Sequence, residues 1–138
     1  MGNLVRTVDA ADRLRLDLDA LSDEAGVRLN VGCSPLREDF DRMLPFAWIR
    51  MLGGDRHGIV VDSATLSVDV YAATWKQAMD AALDAHMLTA RLPYDQDALT
   101  DWKAVTTLSL PYENPDPDHP SIPRCSFSLT AVVKADIR

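Results

Sequence analysis

Three histidines and two cysteines are the side chains of this 138-residue chain best suited to chemistry near neutral pH: His57, His86, His119, Cys33 and Cys125. Their neighbours decide what they can do. In Asp116-Pro117-Asp118-His119, with Glu113 just upstream, carboxylates and an imidazole crowd together as if to hold a divalent ion. Zinc sites, however, recruit His and Cys at fixed spacings, and calcium loops need a glycine and a closing bidentate Glu. Neither pattern is here, so the stretch reads as an acidic loop. His57 stands in a glycine-rich turn and reads as solvated, His86 lies beside Met87 on a helical face and reads as packed, and nothing near Cys33 would activate a thiol. There is no GxGxxG, P-loop or GxSxG. The sequence therefore predicts no catalytic residue, no cofactor and no metal, and an enzyme is the weaker class.

The totals point the same way. One domain is expected at this length, burying roughly 65 to 70% of its unfolded surface. An apolar fraction of 47% and a charged fraction of 25% are those of a globular protein. The 14 Lys and Arg are scattered among 21 Asp and Glu, for a net charge of −7. Such a surface repels phosphate backbones and offers no basic stripe for nucleic acid. Two cysteines are too few for a disulfide framework and suggest a reducing compartment, with a pairing across neighbouring strands left open. No segment has the roughly 20 apolar residues of a membrane span, and the N-terminus has no apolar run for a signal peptide. A cytoplasmic protein is expected. Gly2 is discounted as a lipidation site.

The positioning elements follow from periodicity. Leu14, Leu18, Leu21 and Ala25 form one face of a helix that Asp9 caps and Gly26 ends, with Arg13, Arg15, Asp17 and Asp19 pointing largely elsewhere. Val27, Leu29 and Val31 alternate as a half-buried strand, and a connection with room for one helical turn runs between Pro35 and Pro45. "FAWIRML" reads as a second strand ending at Gly53-Gly54, with "GGDRHG" as a hairpin tip whose glycines supply positive φ. Leu66, Val68 and Val70 alternate with Ser67, Asp69 and Tyr71 in the clearest strand. It runs into a helix opened by Thr74 and Gln77 at capping-box spacing, with Trp75, Met79, Ala82 and His86 on its inner stripe and Ala78 and Leu83 widening it. After an acidic loop, "VTTLSL" and "SFSLTAVVK" read as strands, with Phe127, Leu129, Ala131 and Val133 inward. Between them Pro111 to Pro123 carries five prolines in thirteen residues, a segment that can neither join a sheet nor continue a helix. The predicted order is α-β-β-β-α-β-β: an α+β domain whose antiparallel or mixed sheet packs two helices on one face. Ser67, Tyr71, Thr106, Ser128 and Thr130 would leave the other face mixed, suited to solvent or a partner.

Two stretches carry a family resemblance. "LSVDVYAATWKQAMDAA" passes from strand to Ala-rich helix through a D-V-aromatic-A-x-T junction, and "PYENPDPDHPSIPRCSFSLTAVVKADIR" joins a P-Y-x-N-P-D core to P-R and an alternating last strand. Together with the order of elements they resemble the tail terminator proteins of long, non-contractile-tailed bacteriophages, particularly those infecting actinobacteria. Cys125 stands where that pattern has an aromatic residue.

The resemblance implies a structural virion protein at the neck end of the tail, assembled in the host cytoplasm. Copies of the chain, usually six, form a ring that caps the tail tube, stops its polymerisation and presents a surface for head–tail joining. Its partners would be itself, the tube protein below and a connector above, with DNA passing an acidic lumen without specific binding and no membrane involved. Arg50, Asp55, Arg56, His57, Tyr112, Glu113, Asn114, Asp116, Asp118, His119 and Arg124 are the interface candidates, with Tyr112 to His119 on a stiff, protruding loop at residues 111–123 that loses little entropy on docking, and Arg124 just after it. Such a loop would equally serve only to keep sheet edges apart. The other readings are a head-side neck or stopper protein and a small cytoplasmic enzyme or ligand-binding domain.

Overall fold

The computed structural model describes residues 4–137. Nine regular elements succeed one another: β1 (Val5–Arg6), α1 (Ala10–Ala25), β2 (Asn30–Cys33), β3 (Phe46–His57), β4 (Val61–Tyr71), α2 (Trp75–Arg91), β5 (Trp102–Glu113), β6 (Arg124–Lys134) and β7 (Asp136–Ile137). Five strands form one sheet in the order β2-β3-β4-β6-β5, and β1 and β7 make a two-stranded sheet of their own. The predicted α+β order holds, with that terminal pair added. The sheet is mixed, because β2 runs parallel to β3 while the other pairs are antiparallel.

Both helices start and stop as their sequences require. The Asp9 carboxylate accepts from the Asp12 N–H and Gly26 takes φ 72° at the end of α1, while the Thr74 hydroxyl accepts from the Gln77 N–H at the start of α2. They cover one face of the sheet, where Leu14 and Leu18 meet Ile49, Leu66, Val68, Val70, Phe127, Leu129 and Val133. Each of these large side chains contributes about 1.5 to 3 kcal/mol by leaving water. A second, smaller core of Phe40, Phe46 and Tyr71 sits apart from the first, with Trp48 and Ile122 packed against it. It lies on the opposite face, because Phe46 pairs with Tyr71 and Trp48 with Asp69, out of step with the inward-facing Val68 and Val70.

Several sequence expectations need correction. The first strand begins at Asn30, with Val27 and Leu29 outside it. Leu29 is nonetheless buried against the helical layer, so its alternation reports burial rather than pairing. β3 does not end at the glycine pair but runs on to His57, past a register shift between Met51 and Gly53. Gly54 is a strand residue with ordinary φ, needed because a Cβ there would run into the Ser63 carbonyl, and the turn falls at Gly58, with φ 71°. β5 is longer than "VTTLSL": it absorbs Pro111, Tyr112 and Glu113, which the proline rule had excluded. As the outermost strand it tolerates a missing N–H, and its register shifts at three places.

The α2 stripe is rotated from the expected one. Ala78, Ala81, Ala82, Ala85, Leu88 and Thr89 are buried, while Trp75 and Leu83 are exposed. Alanines permit close approach to the sheet, so the small face went inward. Asp17 also faces the core: its carboxylate accepts from the Leu99 and Thr100 N–H groups and from the Trp102 indole at 2.7 Å, tying α1 to the loop before β5. Among the described residues no helix is long and apolar enough to cross a membrane.

Candidate functional site

β4 brings the most polar side chains together at one end of the sheet. Asp69 is wholly buried on the outer face. Its carboxylate accepts from Arg50 Nη2 at 2.8 Å and from the Ser126 hydroxyl, whose oxygen in turn accepts from Asn114 Nδ2 at 3.1 Å. Register explains the meeting, since Asp69 pairs directly with Ser126 on β6 and Arg50 is opposite Ser67, two residues away. The Arg50 guanidinium also stacks over the Trp48 ring, 4.6 Å from its centre.

Arg124, the first residue of β6, links this group to the proline-rich segment. Its Nε donates to the Asn114 carbonyl at 2.7 Å and its Nη2 to the Pro115 carbonyl, while Nη1 lies 3.6 Å from Asp116 and 4.0 Å from Asp69. Asp116 is the hub on the other side. It accepts from the Tyr71 hydroxyl at 2.7 Å, from His119 Nδ1 at 2.9 Å and from the Asp118 N–H at 3.0 Å. Burial alone would raise its pKa, but these donors and the Arg124 charge outweigh burial and hold it at about 2. Burial first, and then the hydrogen bond to Asp116, push the Tyr71 hydroxyl far above its ordinary value, so it stays a donor. The His119 ring completes the contact edge-on to Phe40, 5.0 Å away.

Six interface candidates thus converge here: Arg50, Asn114, Asp116, Asp118, His119 and Arg124. The segment that carries Asn114, Asp116, Asp118 and His119 does not stand free, because Asp116 pulls it down onto the sheet and Ile122 packs against the Phe40, Phe46 and Tyr71 core. Tyr112 and Glu113 are exposed residues of β5 itself. Asp55, Arg56 and His57 lie at the other end of the sheet, on a β3–β4 hairpin whose β3 side is exposed from Met51 to His57. There Arg56 grips Asp62 with two hydrogen bonds, 2.7 and 3.1 Å, and lowers its pKa. Sequence reasoning missed Asp69, Ser126 and Tyr71 as members of the network. A carboxylate in the middle of the period-two run "SVDVY" was the available signal, since an Asp inside a strand calls for a partner.

The arrangement ties the outer face of the sheet to residues 114–124 through paired charges and hydrogen bonds. The Ser126 hydroxyl donates to a buried carboxylate with no histidine in the group, and the His119–Asp116 pair is spent on the sheet. His86 Nε2 meets the Thr107 hydroxyl at 2.8 Å and its ring stands edge-on to Phe127. Cys33 and Cys125 are both free thiols on β2 and β6, three strand spacings or about 14 Å apart, too far for a bond. Burial raises the Cys125 pKa, with the Glu113 charge adding to it.

Exposed apolar side chains occur on α2, at Trp75, Leu83 and Met87, and singly elsewhere, and two groups of them lie on the sheet. Met51, Leu52 and Ile59, the last 78% exposed, sit on the β3–β4 hairpin. Leu108, Leu110, at 67%, and Tyr112 sit on β5. β2 pairs only with Phe46 to Ile49, so the outer half of β3 is a sheet edge, and β5 is the edge opposite. No family model matches this sequence, and no curated protein matches it either.

Proposed function

We propose that this protein works as an assembly of identical copies, a ring that caps a phage tail tube and passes DNA through its centre. The supporting observation is the pair of exposed apolar patches on opposite edges of one sheet. Patches of this kind on a monomer mark interaction surfaces. Because they lie on different edges, one copy's hairpin meeting the next copy's β5 is a head-to-tail contact, which closes into a ring or grows into a filament. The join runs through side chains rather than by extending the sheet. Pro111 and three register shifts break the regular ladder that β5 would offer to another strand. The resemblance adds the rest of the reading: a ring of six, the tube below, the connector above, and stopping of tube growth. A net charge of −7 on each copy suits a channel to which DNA must not adhere.

Replacing Met51, Leu52 and Ile59 together by Ser tests it. The expected result is loss of oligomers in analytical ultracentrifugation, with folding stability changed by no more than about 0.5 kcal/mol per site. Oligomers of unchanged size in that variant would contradict the hairpin's role.

A further inference from the structure

We propose that residues 114–123 form a strap held shut by one side chain: the Asp116 carboxylate latches it over Phe40 and Tyr71, and discharging that carboxylate frees the strap while sheet and helices stay folded. This goes beyond the ring reading and does not depend on it.

Beyond its first two residues, which Arg124 and Ser126 hold through side-chain bonds, the strap has little else to hold it. Pro115, Pro117, Pro120 and Pro123 lack N–H groups, and the Asp118, His119 and Ile122 N–H groups all donate within the strap. Backbone bonds tie only its ends to the sheet, Asn114 to Arg124 and Ala72 to Pro123. Between those ends, Pro115, Pro117, Asp118, Pro120 and Ser121 are exposed, and Asp116 is the buried residue, at 8%. Its carboxylate reaches two different strands, Tyr71 on β4 and Arg124 on β6, and organises the turn through Asp118 and His119. Removing its charge therefore removes the strap's grip on the sheet at a single point. What remains is the partly buried Ile122, the His119 ring beside Phe40, and at the strap's first two residues the bonds from Arg124 to the Asn114 and Pro115 carbonyls and from Asn114 to Ser126.

The charged and titratable groups around Asp116 fix the sign with pH. β4 contributes Tyr71, with Asp69 behind Arg124; β6 contributes Arg124; the strap contributes His119 and Asp118; and the connection before β3 contributes the apolar Phe40. Asp116 itself has a lowered pKa, so its contribution is fully present above the ordinary value of 3.8 and disappears as pH falls through about 2. The strap is accordingly shut at neutral pH and opens only in strong acid.

Hydrogen exchange on the full chain tests this with Asp116→Asn, Asp116→Ala and His119→Ala. In both Asp116 variants the Asp118, His119 and Ile122 amides are expected to exchange at least about tenfold faster, with Val68 and Leu129 amides unchanged. His119→Ala, which keeps the carboxylate and its Tyr71 and Arg124 partners, is expected to give a smaller acceleration. Strap amides within about twofold of the parent in both Asp116 variants would overturn the latch. Equal loss of protection at Val68 and Leu129 would also overturn it, by making Asp116 part of the general fold. An acid series on the unaltered chain provides the same readout should a variant not fold: strap amides losing protection before Val68 and Leu129 support the latch, and simultaneous loss contradicts it.

Discussion

The two ends of the long strands are built on opposite terms. At the Phe46, Tyr71 and Arg124 end, both faces of the sheet are covered, one by helices and the other by the aromatic core and the strap, and buried charges are matched in pairs. At the His57 and Val61 end the same strands run out as a hairpin whose β3 side is bare and carries Met51 and Leu52, with Ile59 at its turn. The difference separates two jobs. A buried network of paired charges, in which, among the described residues, Arg50 Nε and the Trp48 indole N–H are the atoms left without a partner, fixes one conformation and costs a great deal to disturb. Exposed apolar side chains add little to the stability of the lone domain, and in the proposed assembly a neighbouring copy covers them.

Substitutions that cross this divide should differ sharply. The largest effect belongs to Phe127→Ala, which empties the main core and should cost about 3 to 5 kcal/mol in urea unfolding. Asp69→Ala follows at about 3 kcal/mol, because Arg50, Arg124 and Ser126 lose their shared acceptor. A value under about 1 kcal/mol would mean the network is an ornament of the covered end rather than its clamp. The finest comparison uses two serines of β6 on the same face. Ser126→Ala, at the covered end, should cost about 1 to 3 kcal/mol by stranding Asn114 and one Asp69 oxygen. Ser128→Ala, one step toward the bare end and half-buried, should cost less than about 0.5 kcal/mol. Equal losses at both positions would erase the distinction between the ends.

How far the sequence alone reveals this depends on whether an element's pattern is local. α1 was legible because Asp9, Gly26 and a leucine face speak within one segment, and β4 and β6 because period two survives along both. The exact stripe of α2 was not legible, because its alanines are compatible with either a buried or an open face and the sheet decides. The extent of β3 and β5 was hidden for a similar reason. Glycine and proline mark breaks by default, yet Gly54 is required by a close backbone approach and Pro111 is harmless on an outer edge. The convergence of Arg50 with Asp69, and of Tyr71 with Asp116, depends on strand register and on a contact spanning 45 residues, information that no short window contains. The polar cluster at residues 113–119 was visible as a crowd of carboxylates and an imidazole. Its work as an internal clasp was not.

The most direct test of the central claim, that identical copies join through opposite edges of the sheet, is native mass spectrometry of the purified chain over a rising concentration series. The account predicts a closed oligomer of fixed stoichiometry that replaces the monomer and is lost when Met51, Leu52 and Ile59 are changed to Ser. A monomer at every concentration, or an oligomer indifferent to those three substitutions, would contradict it.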